Sequence, residues 1–288
     1  MRPVLLPLAQ RMGRLAMRRR GVATRWVETP QGRIHAYDAL GVGALPPTVL
    51  LHGIGSAATP FAPLLERLRR DVCRVIAPDY PGHGFSPDAT VRLTPEVLFD
   101  SVSTALDSLI DEPAILVGNS LGGAVALRYA ISRPERVRAL VLVSPAGALA
   151  TDDEWSELRA TFDVASRSEA LAFFERVYHR PPWFMPLLAH EIPASFGRRA
   201  VRELLESASN DDAPSRAAIR SLGMPILLVW GQSERLLPET HFEYFATSLP
   251  DHAVIERPEG FGHCPHTDDP GALAARVAAF ARGLELVS

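Results

Sequence analysis

The sequence comprises 288 residues, of which 47% are hydrophobic, and its formal net charge at pH 7 is −3. A chain of this length buries roughly three quarters of its unfolded surface, which is typical of one large globular domain with an insertion. The small net charge gives no reason to expect nucleic acid as a partner. Cys73 and Cys264 fall in different parts of the predicted sheet, and the nine histidines show no metal-ligand spacing, so neither a disulfide nor a metal site is expected.

Residues 1–21 form a basic amphipathic segment. Apolar residues follow helical spacing, and most of the arginines lie elsewhere; the apolar positions are Leu5, Leu8, Met12, Leu15 and Ala16. A secretory signal places its positive charge before its apolar stretch, whereas most of these arginines follow a short one, so a cytoplasmic location is expected. Two interpretations stay open: a helix that packs on the protein or frays, or a helix in weak peripheral contact with an anionic membrane surface.

The following residues alternate between predicted strands and helices. A hairpin with strands 24–28 and 33–39 surrounds Pro30-Gln31-Gly32. Short strands rich in β-branched and apolar residues follow at 48–51, 74–77, 114–117, 137–143, 226–230 and 253–256. Helical patterns separate most of them, at 61–70, 95–110, 121–132, 239–249 and 270–283. This alternation predicts an α/β fold with a mostly parallel, doubly wound sheet covered by helices on both faces.

One interval interrupts the alternation. Between Val143 and Met224 the pattern is helical with no convincing strand, and the interval is far too long for an ordinary crossover loop. It contains eight aromatic residues, which are Trp155, Phe162, Phe173, Phe174, Tyr178, Trp183, Phe184 and Phe196. A helical lid over residues 148–214 is therefore expected. Some of its rings should form a small core of their own, and Trp183, Phe184 and Met185 are expected to face a substrate pocket.

The most informative motif is Gly118-Asn119-Ser120-Leu121-Gly122. A buried strand runs into it and a helical segment follows, which is the context that a nucleophile elbow requires. A serine on such a sharp turn has strained backbone geometry, and side chains at the flanking glycines would collide with the neighbouring strand and helix. The N-terminus of the following helix then favours negative charge that develops at the reaction centre.

Other polar groups follow further predicted strands. His52-Gly53-Ile54-Gly55 follows the strand at 48–51, at a position where a second oxyanion donor is expected. Glu234 follows the strand at 226–230, and His263 follows the one at 253–256. Nucleophile, acid and base therefore occur in the order serine, carboxylate, histidine, each just beyond a strand end.

Five stretches together resemble the α/β-hydrolase family, and in particular its lid-bearing serine esterases and lipases. They are His52-Gly-Ile-Gly, Asp79-Tyr-Pro-Gly-His-Gly-Phe-Ser86, Gly118-Asn-Ser-Leu-Gly-Gly, Trp230-Gly-Gln-Ser-Glu and Gly262-His-Cys-Pro-His266. The resemblance extends from about residue 22 to the C-terminus and implies an α/β-hydrolase core at 22–147 and 215–288. The chain departs from the family at Glu234, where aspartate is usual.

The resemblance implies a serine hydrolase of carboxylic esters that needs no cofactor. Ser120 would be the nucleophile, His263 the base and Glu234 the acid that orients the base. The backbone amides of Ile54 and Leu121 would form the oxyanion hole. The expected substrate is a small ester with a short to medium apolar acyl chain.

Each assignment has a rival within the sequence. Cys264 is an alternative nucleophile and His266 an alternative base, although a packing thiol and a loop residue that bridges polar groups are the favoured interpretations. Asp152 or Asp153 could replace Glu234 as the acid. Asp79 resembles a structural loop residue of the family and is not expected to be catalytic.

Two functional alternatives also stay open. One is hydrolysis of a carbon–carbon bond in a ring-fission product, and the other is a ligand receptor of the same fold with slow turnover. Epoxide hydrolases and dehalogenases use an aspartate nucleophile where this chain has Ser120, which disfavours both. The oligomeric state is not indicated by the sequence.

Overall fold

A computed structural model describes residues 3–285. Its eight strands are β1 (Ala23–Thr29), β2 (Gly32–Leu40), β3 (Thr48–Leu51), β4 (Arg74–Pro78), β5 (Ala114–Asn119), β6 (Val137–Val143), β7 (Ile226–Val229) and β8 (Val254–Glu256). The helices are α1 (Leu5–Arg19), α2 (Ala62–Leu68), α3 (Pro95–Leu109), α4 (Leu121–Ser132), α5 (Asp152–Phe162), α6 (Arg167–Val177), α7 (Met185–Leu188), α8 (Ile192–Phe196), α9 (Arg199–Ser207), α10 (Arg216–Arg220), α11 (Glu239–Ser248), α12 (Pro265–Asp268) and α13 (Pro270–Glu285).

The strands form one sheet in the order β1-β2-β4-β3-β5-β6-β7-β8. The pairs β1–β2 and β2–β4 are antiparallel, and the pairs from β4–β3 to β7–β8 are parallel. The predicted α/β fold with a mostly parallel sheet is thus confirmed. The strand ends agree with the predicted ends to within two residues, and those of β3 and β6 are identical to the predicted ends.

Helices cover both faces of the sheet, and alternate strand residues enter two separate cores. On β5, Leu116 packs with α3, α4 and α11, whereas Ile115 packs with α2 and α13. Both side chains are fully buried, because successive side chains of a strand point to opposite faces. This burial of both faces explains why the central strands read as continuous apolar runs.

Five helices, α5 to α9, form an insertion between β6 and β7, which we call the helical insertion (residues 148–214). Capping boxes begin α5 at Thr151 and α6 at Ser166. The insertion has its own buried cluster around Phe162, Phe174 and Phe196. Part of the aromatic content of this interval therefore stabilises the insertion itself.

A buried carboxylate, Asp79, organises the loop after β4. It accepts hydrogen bonds from the amides of Ala58 (2.7 Å) and Phe85 (2.9 Å), and its Oδ2 pairs with His35 Nδ1 at 2.8 Å. Burial alone would raise the pKa of Asp79, but His35, the nearby His52 and these amides hold it below its ordinary value. The side chain holds this loop against β2 and the loop after β3, which agrees with a structural role.

Within residues 3–285, no helix combines the length and the apolar character needed to cross a membrane.

Candidate active site

Ser120 lies at the sharp turn between β5 and α4. Its backbone has φ 56° and ψ −121°, a conformation that is strained for a residue with a side chain. A Cβ at Gly118 would stand 2.2 Å from the carbonyl oxygen of Gly122, and a Cβ at Gly122 would stand 2.0 Å from that of Leu51. Both glycines are therefore required by close backbone packing, and the turn holds Ser120 at the carboxyl edge of the sheet.

Glu234 and His263 form a buried pair at the same edge. His263 Nδ1 lies 2.8 Å from Glu234 Oε2, and the two side chains are 4% and 2% exposed, respectively. The other carboxylate oxygen, Oε1, accepts hydrogen bonds from the amides of Leu236 (2.8 Å) and Leu237 (3.1 Å). Burial alone would raise the pKa of Glu234, but the charge and hydrogen bond of His263 and the Leu237 amide hold it below its ordinary value. An ionised Glu234 fixes the imidazole with Nδ1 as the donor.

Asn119 joins the histidine loop to the nucleophile turn. Its side-chain nitrogen donates to the carbonyl oxygens of His263 at 2.8 Å and Val143 at 3.1 Å. Because Asn119 directly precedes Ser120, this bond holds the His263 backbone beside the turn. The structure thus pairs His263 with Glu234 and holds the backbone of His263 next to the turn that carries Ser120.

The loop after β3 packs directly on Ser120. A Cβ at Gly53 would stand 3.3 Å from Ser120 Cβ and 3.7 Å from its Oγ. Ile54 lines the same cavity as Ser120 and Leu121. As the first residue of α4, Leu121 has no intrahelical acceptor for its amide. Both proposed oxyanion donors therefore belong to segments that border the serine.

Two buried histidines hold this loop in place. His52 Nε2 accepts from the amide of Tyr80 at 3.2 Å, and its Nδ1 donates to the carbonyl of Gly53 at 2.8 Å. His83 Nε2 accepts from the amide of Gly55 at 3.2 Å. Burial lowers the pKa of His52 and lowers that of His83 to about 3, so both rings are neutral acceptors and loop supports.

The rival residues occupy unsuitable positions. Asp152 and Asp153 are exposed in the first turn of α5, and neither bonds His263. His266 packs on the Phe61 ring, burial lowers its pKa to about 3, and its Nδ1 has no hydrogen-bond partner within residues 3–285. Burial raises the pKa of the Cys264 thiol well above its ordinary value, which disfavours the reactive thiolate.

A largely apolar cavity opens beside Ser120. Its volume is about 240 Å³, and helices α3 and α4 form one wall. Helices α5 and α9 of the helical insertion also line it, through residues such as Trp155, Leu158 and Leu204. The insertion thus supplies much of the apolar lining of the cavity that Ser120 borders.

The expected substrate-binding residues do not line this cavity. Trp183 is 85% exposed and Phe184 is 41% exposed, and Met185 packs partly on the core of the insertion. The expectation was wrong because the segment after α6, which includes Pro181-Pro182, leaves Trp183 and Phe184 exposed and packs Met185 against the core of the insertion.

His241 is a cavity residue that the sequence interpretation missed. It is 5% exposed in α11, and neither ring nitrogen has a hydrogen-bond partner among the described residues. Burial lowers the pKa of His241, so the neutral ring presents a donor and an acceptor to the cavity. The signal in the sequence that could have identified His241 is its position seven residues after Glu234, because both residues follow β7.

No cluster of histidine, cysteine and carboxylate side chains within residues 3–285 has the arrangement of a metal site. The candidate site consists of a strained serine, an oriented histidine, a buried carboxylate and an apolar cavity. This arrangement can perform nucleophilic catalysis on an acyl group.

Comparison with known proteins agrees with this chemistry. The model of the alpha/beta hydrolase family matches residues 48–276. The pimeloyl-[acyl-carrier protein] methyl ester esterase of Chromobacterium violaceum is 30% identical over 241 residues, which cover 79% of this chain and 90% of that protein. The 2-hydroxymuconate semialdehyde hydrolase of a Pseudomonas species (strain CF600) is 32% identical over 247 residues, covering 78% and 81%, respectively.

A solved structure is similar over almost the whole chain. The crystal structure of a membrane phospholipase A, described as a bacterial virulence factor, superimposes with a TM-score of 0.80 and 22% sequence identity. The match covers 97% of this chain and 93% of that one. At this identity the likeness concerns the fold.

Proposed function

The chain belongs to the α/β-hydrolase family, and we propose that it is a serine hydrolase that cleaves carboxylic esters with short to medium apolar acyl chains. The observation that carries this proposal is the buried pair of His263 and Glu234, held through Asn119 next to the turn of a strained Ser120 that lines an apolar cavity. The similarity to a methyl ester esterase at 30% identity supports the same class of reaction.

In the proposed mechanism, Ser120 Oγ attacks the ester carbonyl carbon while His263 Nε2 takes the hydroxyl proton. The carbonyl oxygen becomes an oxyanion that accepts hydrogen bonds from the amides of Leu121 and Ile54, each stabilising the transition state by about 3 kcal/mol. The tetrahedral intermediate collapses, and the alcohol departs with the proton from His263. Glu234 stabilises the imidazolium in both states.

The acyl group then remains on Ser120 Oγ as an ester. A water molecule gives its proton to His263 and attacks the acyl carbon, and the carboxylic acid leaves as the serine recovers its proton. Apart from the ester and this water molecule, residues of the chain supply every group that the two half-reactions use. The apolar cavity walls favour an aliphatic acyl chain, because each buried methylene contributes about 0.8 kcal/mol.

The test uses nitrophenyl esters of increasing acyl length. We expect kcat/KM to rise roughly fourfold per methylene from acetate until the cavity is full, and then to fall. Ser120→Ala should abolish nearly all activity without unfolding the protein. Ser103→Ala is the matched control, because Ser103 is also buried but lies in α3 and its hydroxyl has no hydrogen-bond partner among the described residues. Full activity of Ser120→Ala would refute the proposal.

Carbon–carbon bond hydrolysis is the second candidate, favoured by the 32% identity to a 2-hydroxymuconate semialdehyde hydrolase. Such a substrate is anionic, and the cavity contains Arg128 and Arg235. However, Arg235 donates a hydrogen bond to the carbonyl of Tyr178, and the Arg128 guanidinium lies over the Phe99 ring, 4.3 Å from its centre. A higher kcat/KM for a ring-fission dienoate than for every nitrophenyl ester would select this alternative.

A further inference from the structure

Helix α1 packs on the protein with its less apolar side. Met17 is 2% exposed, and a Cβ at Gly13 would stand 2.8 Å from Thr59 Cγ2, so this side of the helix faces the body. Arg14 lies on the same side, with its guanidinium 4.7 Å from the centre of the Phe85 ring. These close contacts fix the orientation of α1 on the protein.

The opposite side of α1 presents an apolar stripe to solvent. Leu5, Leu8, Met12 and Leu15 are 40%, 49%, 64% and 50% exposed, respectively. At 3.6 residues per turn these positions fall on one side of the helix, away from Gly13 and Met17. We call these four side chains the α1 stripe. A soluble protein usually turns such a stripe inward, so its outward orientation indicates an external partner.

The charges around the α1 stripe have one sign. Arg11, Arg18 and Arg19 are exposed, and helical spacing places Arg11 and Arg18 along one border of the stripe and Arg19 in line with the stripe, beyond Leu15. Counting from the start of the sequence, the first acidic residue is Glu28. The surface therefore combines exposed apolar groups with a purely basic border.

The helical insertion holds the beginning of α1 in place. The carboxylate of Glu191 accepts hydrogen bonds from the backbone amides of Val4 (2.7 Å), Leu5 (2.6 Å) and Leu6 (2.7 Å). Glu191 is 4% exposed, and its negative charge lies at the helix N-terminus, where the helix dipole favours it. This contact joins α1 to the segment that follows α7.

Further exposed apolar groups lie next to this contact in the insertion. Trp183 is 85% exposed and Leu187 is 61% exposed, and Leu187 precedes Glu191 by four residues. A tryptophan at such a position is typical of the boundary between water and lipid, where its amphipathic ring is favoured. The segment that holds the beginning of α1 therefore also carries two exposed apolar side chains.

We propose that the α1 stripe docks on the surface of an anionic lipid bilayer, with Trp183 and Leu187 as additional contacts. A helix with an apolar face and basic borders binds such a surface by burying its apolar groups among the lipids and placing its arginines at the negative headgroups. Docking of two identical stripes on each other is less favourable, because it would bring the arginines of the two copies together.

The test measures flotation of the full chain with lipid vesicles. The Ser120→Ala protein serves as the parent, so that no lipid ester is hydrolysed during the assay. Vesicles of phosphatidylglycerol and phosphatidylcholine should bind it, vesicles of phosphatidylcholine alone should bind it much more weakly, and high salt should reduce the binding. Light scattering without vesicles gives the oligomeric state.

Two charge-introducing variants distinguish vesicle binding through the α1 stripe from binding through any exposed apolar side chain. Leu8→Glu combined with Met12→Glu should lower the apparent vesicle affinity roughly tenfold or more. Val42→Glu is the matched control, because Val42 is 88% exposed in the loop after β2 and should leave binding unchanged. Arg11→Gln and Arg18→Gln should each lower the affinity about fivefold, the change that corresponds to about 1 kcal/mol per basic residue at the surface.

The outcome does not depend on the proposed esterase activity, because binding is measured on the Ser120→Ala protein. In the presence of Ser120, the stripe variants should hydrolyse a soluble acetate ester at the parental rate, which shows that they are folded. Failure of the parent to bind anionic vesicles would overturn the proposal. So would equal binding by the double variant and Val42→Glu, or a dimer in solution that the double variant dissociates while vesicle binding is absent.

Discussion

Glu234→Gln is the most informative change at the site, because the surrounding hydrogen bonds dictate how the new amide must lie. Oε1 of Glu234 accepts from the amides of Leu236 and Leu237, so the glutamine must place its carbonyl oxygen there. Its NH₂ group then faces His263 Nδ1, which lies 2.8 Å from Oε2 in the parent. A donor at this position requires Nδ1 to be an acceptor, so the proton moves to Nε2.

An imidazole with a protonated Nε2 cannot accept the proton of Ser120. By analogy with the aspartate-to-asparagine change in the serine-protease triad, kcat should fall by about 10⁴. Because the carboxylate is 2% exposed and does not line the cavity, KM should change little. Steady-state rates on a nitrophenyl butyrate, with circular dichroism as a folding check, measure both parameters.

Glu234→Asp gives an intermediate case that uses the same geometry. Its side chain is shorter by one carbon–carbon bond, about 1.5 Å, so it cannot reach the two amides and His263 without a backbone shift. A displacement of this size should lower kcat about 100-fold. If Glu234→Gln is mild and Asp152→Asn or Asp153→Asn is severe, the acid lies in α5 and the role given to Glu234 is refuted.

Three further changes test the loop support and the cavity. Asp79→Asn should lower the free energy of unfolding by about 3 kcal/mol at neutral pH. The side-chain NH₂ group of the asparagine would face the backbone N–H of Phe85, so two donors would meet where a hydrogen bond existed. The folded pKa of Asp79 lies below its ordinary value of 3.8, so its stabilising effect is present above that pH and is lost as the pH falls through the folded pKa; urea titrations should show the two proteins converging in acid. Trp155→Ala should move the preferred acyl length upward, because Trp155 lines the cavity. Trp183→Ala should leave the chain-length profile of soluble esters unchanged, because Trp183 is exposed. Equal profiles for both variants would place Trp155 outside the acyl site. His241→Leu removes a buried ring whose nitrogens have no partner among the described residues, so it should keep or raise Tm and raise the rate on purely apolar esters; a lower Tm would show that the ring is satisfied in solution.

The elements that the sequence predicts well are those with a local signal. The strand at 114–117 is a buried apolar run, and the glycines that follow it are required by close backbone packing. A short stretch of residues therefore predicts both β5 and the Ser120 turn. Glu234 and His263 follow from the rule that parallel strands end at one edge of the sheet. The acid could be assigned among rivals only when the 2.8 Å contact with His263 was available.

The errors concern residues whose surroundings depend on distant parts of the chain. The aromatic content of residues 148–214 predicts a helical segment with buried rings, but it does not say which ring faces the cavity and which, like Trp183, faces solvent. Helical spacing likewise identifies the apolar side of α1 without showing which side of the helix packs on the rest of the protein. The contact between Glu191 and the amide of Val4 joins residues 187 positions apart, and no local pattern indicates it.

The most direct test of the proposed chemistry is mass spectrometry of the protein quenched during turnover of an activated ester. A covalent acyl-enzyme predicts a mass increase equal to one acyl group, located by peptide mapping on Ser120 and absent from Ser120→Ala. A fluorophosphonate should modify the same residue. An acyl group on Cys264, or hydrolysis with no covalent intermediate at Ser120 even in the slowest ester, would contradict the account.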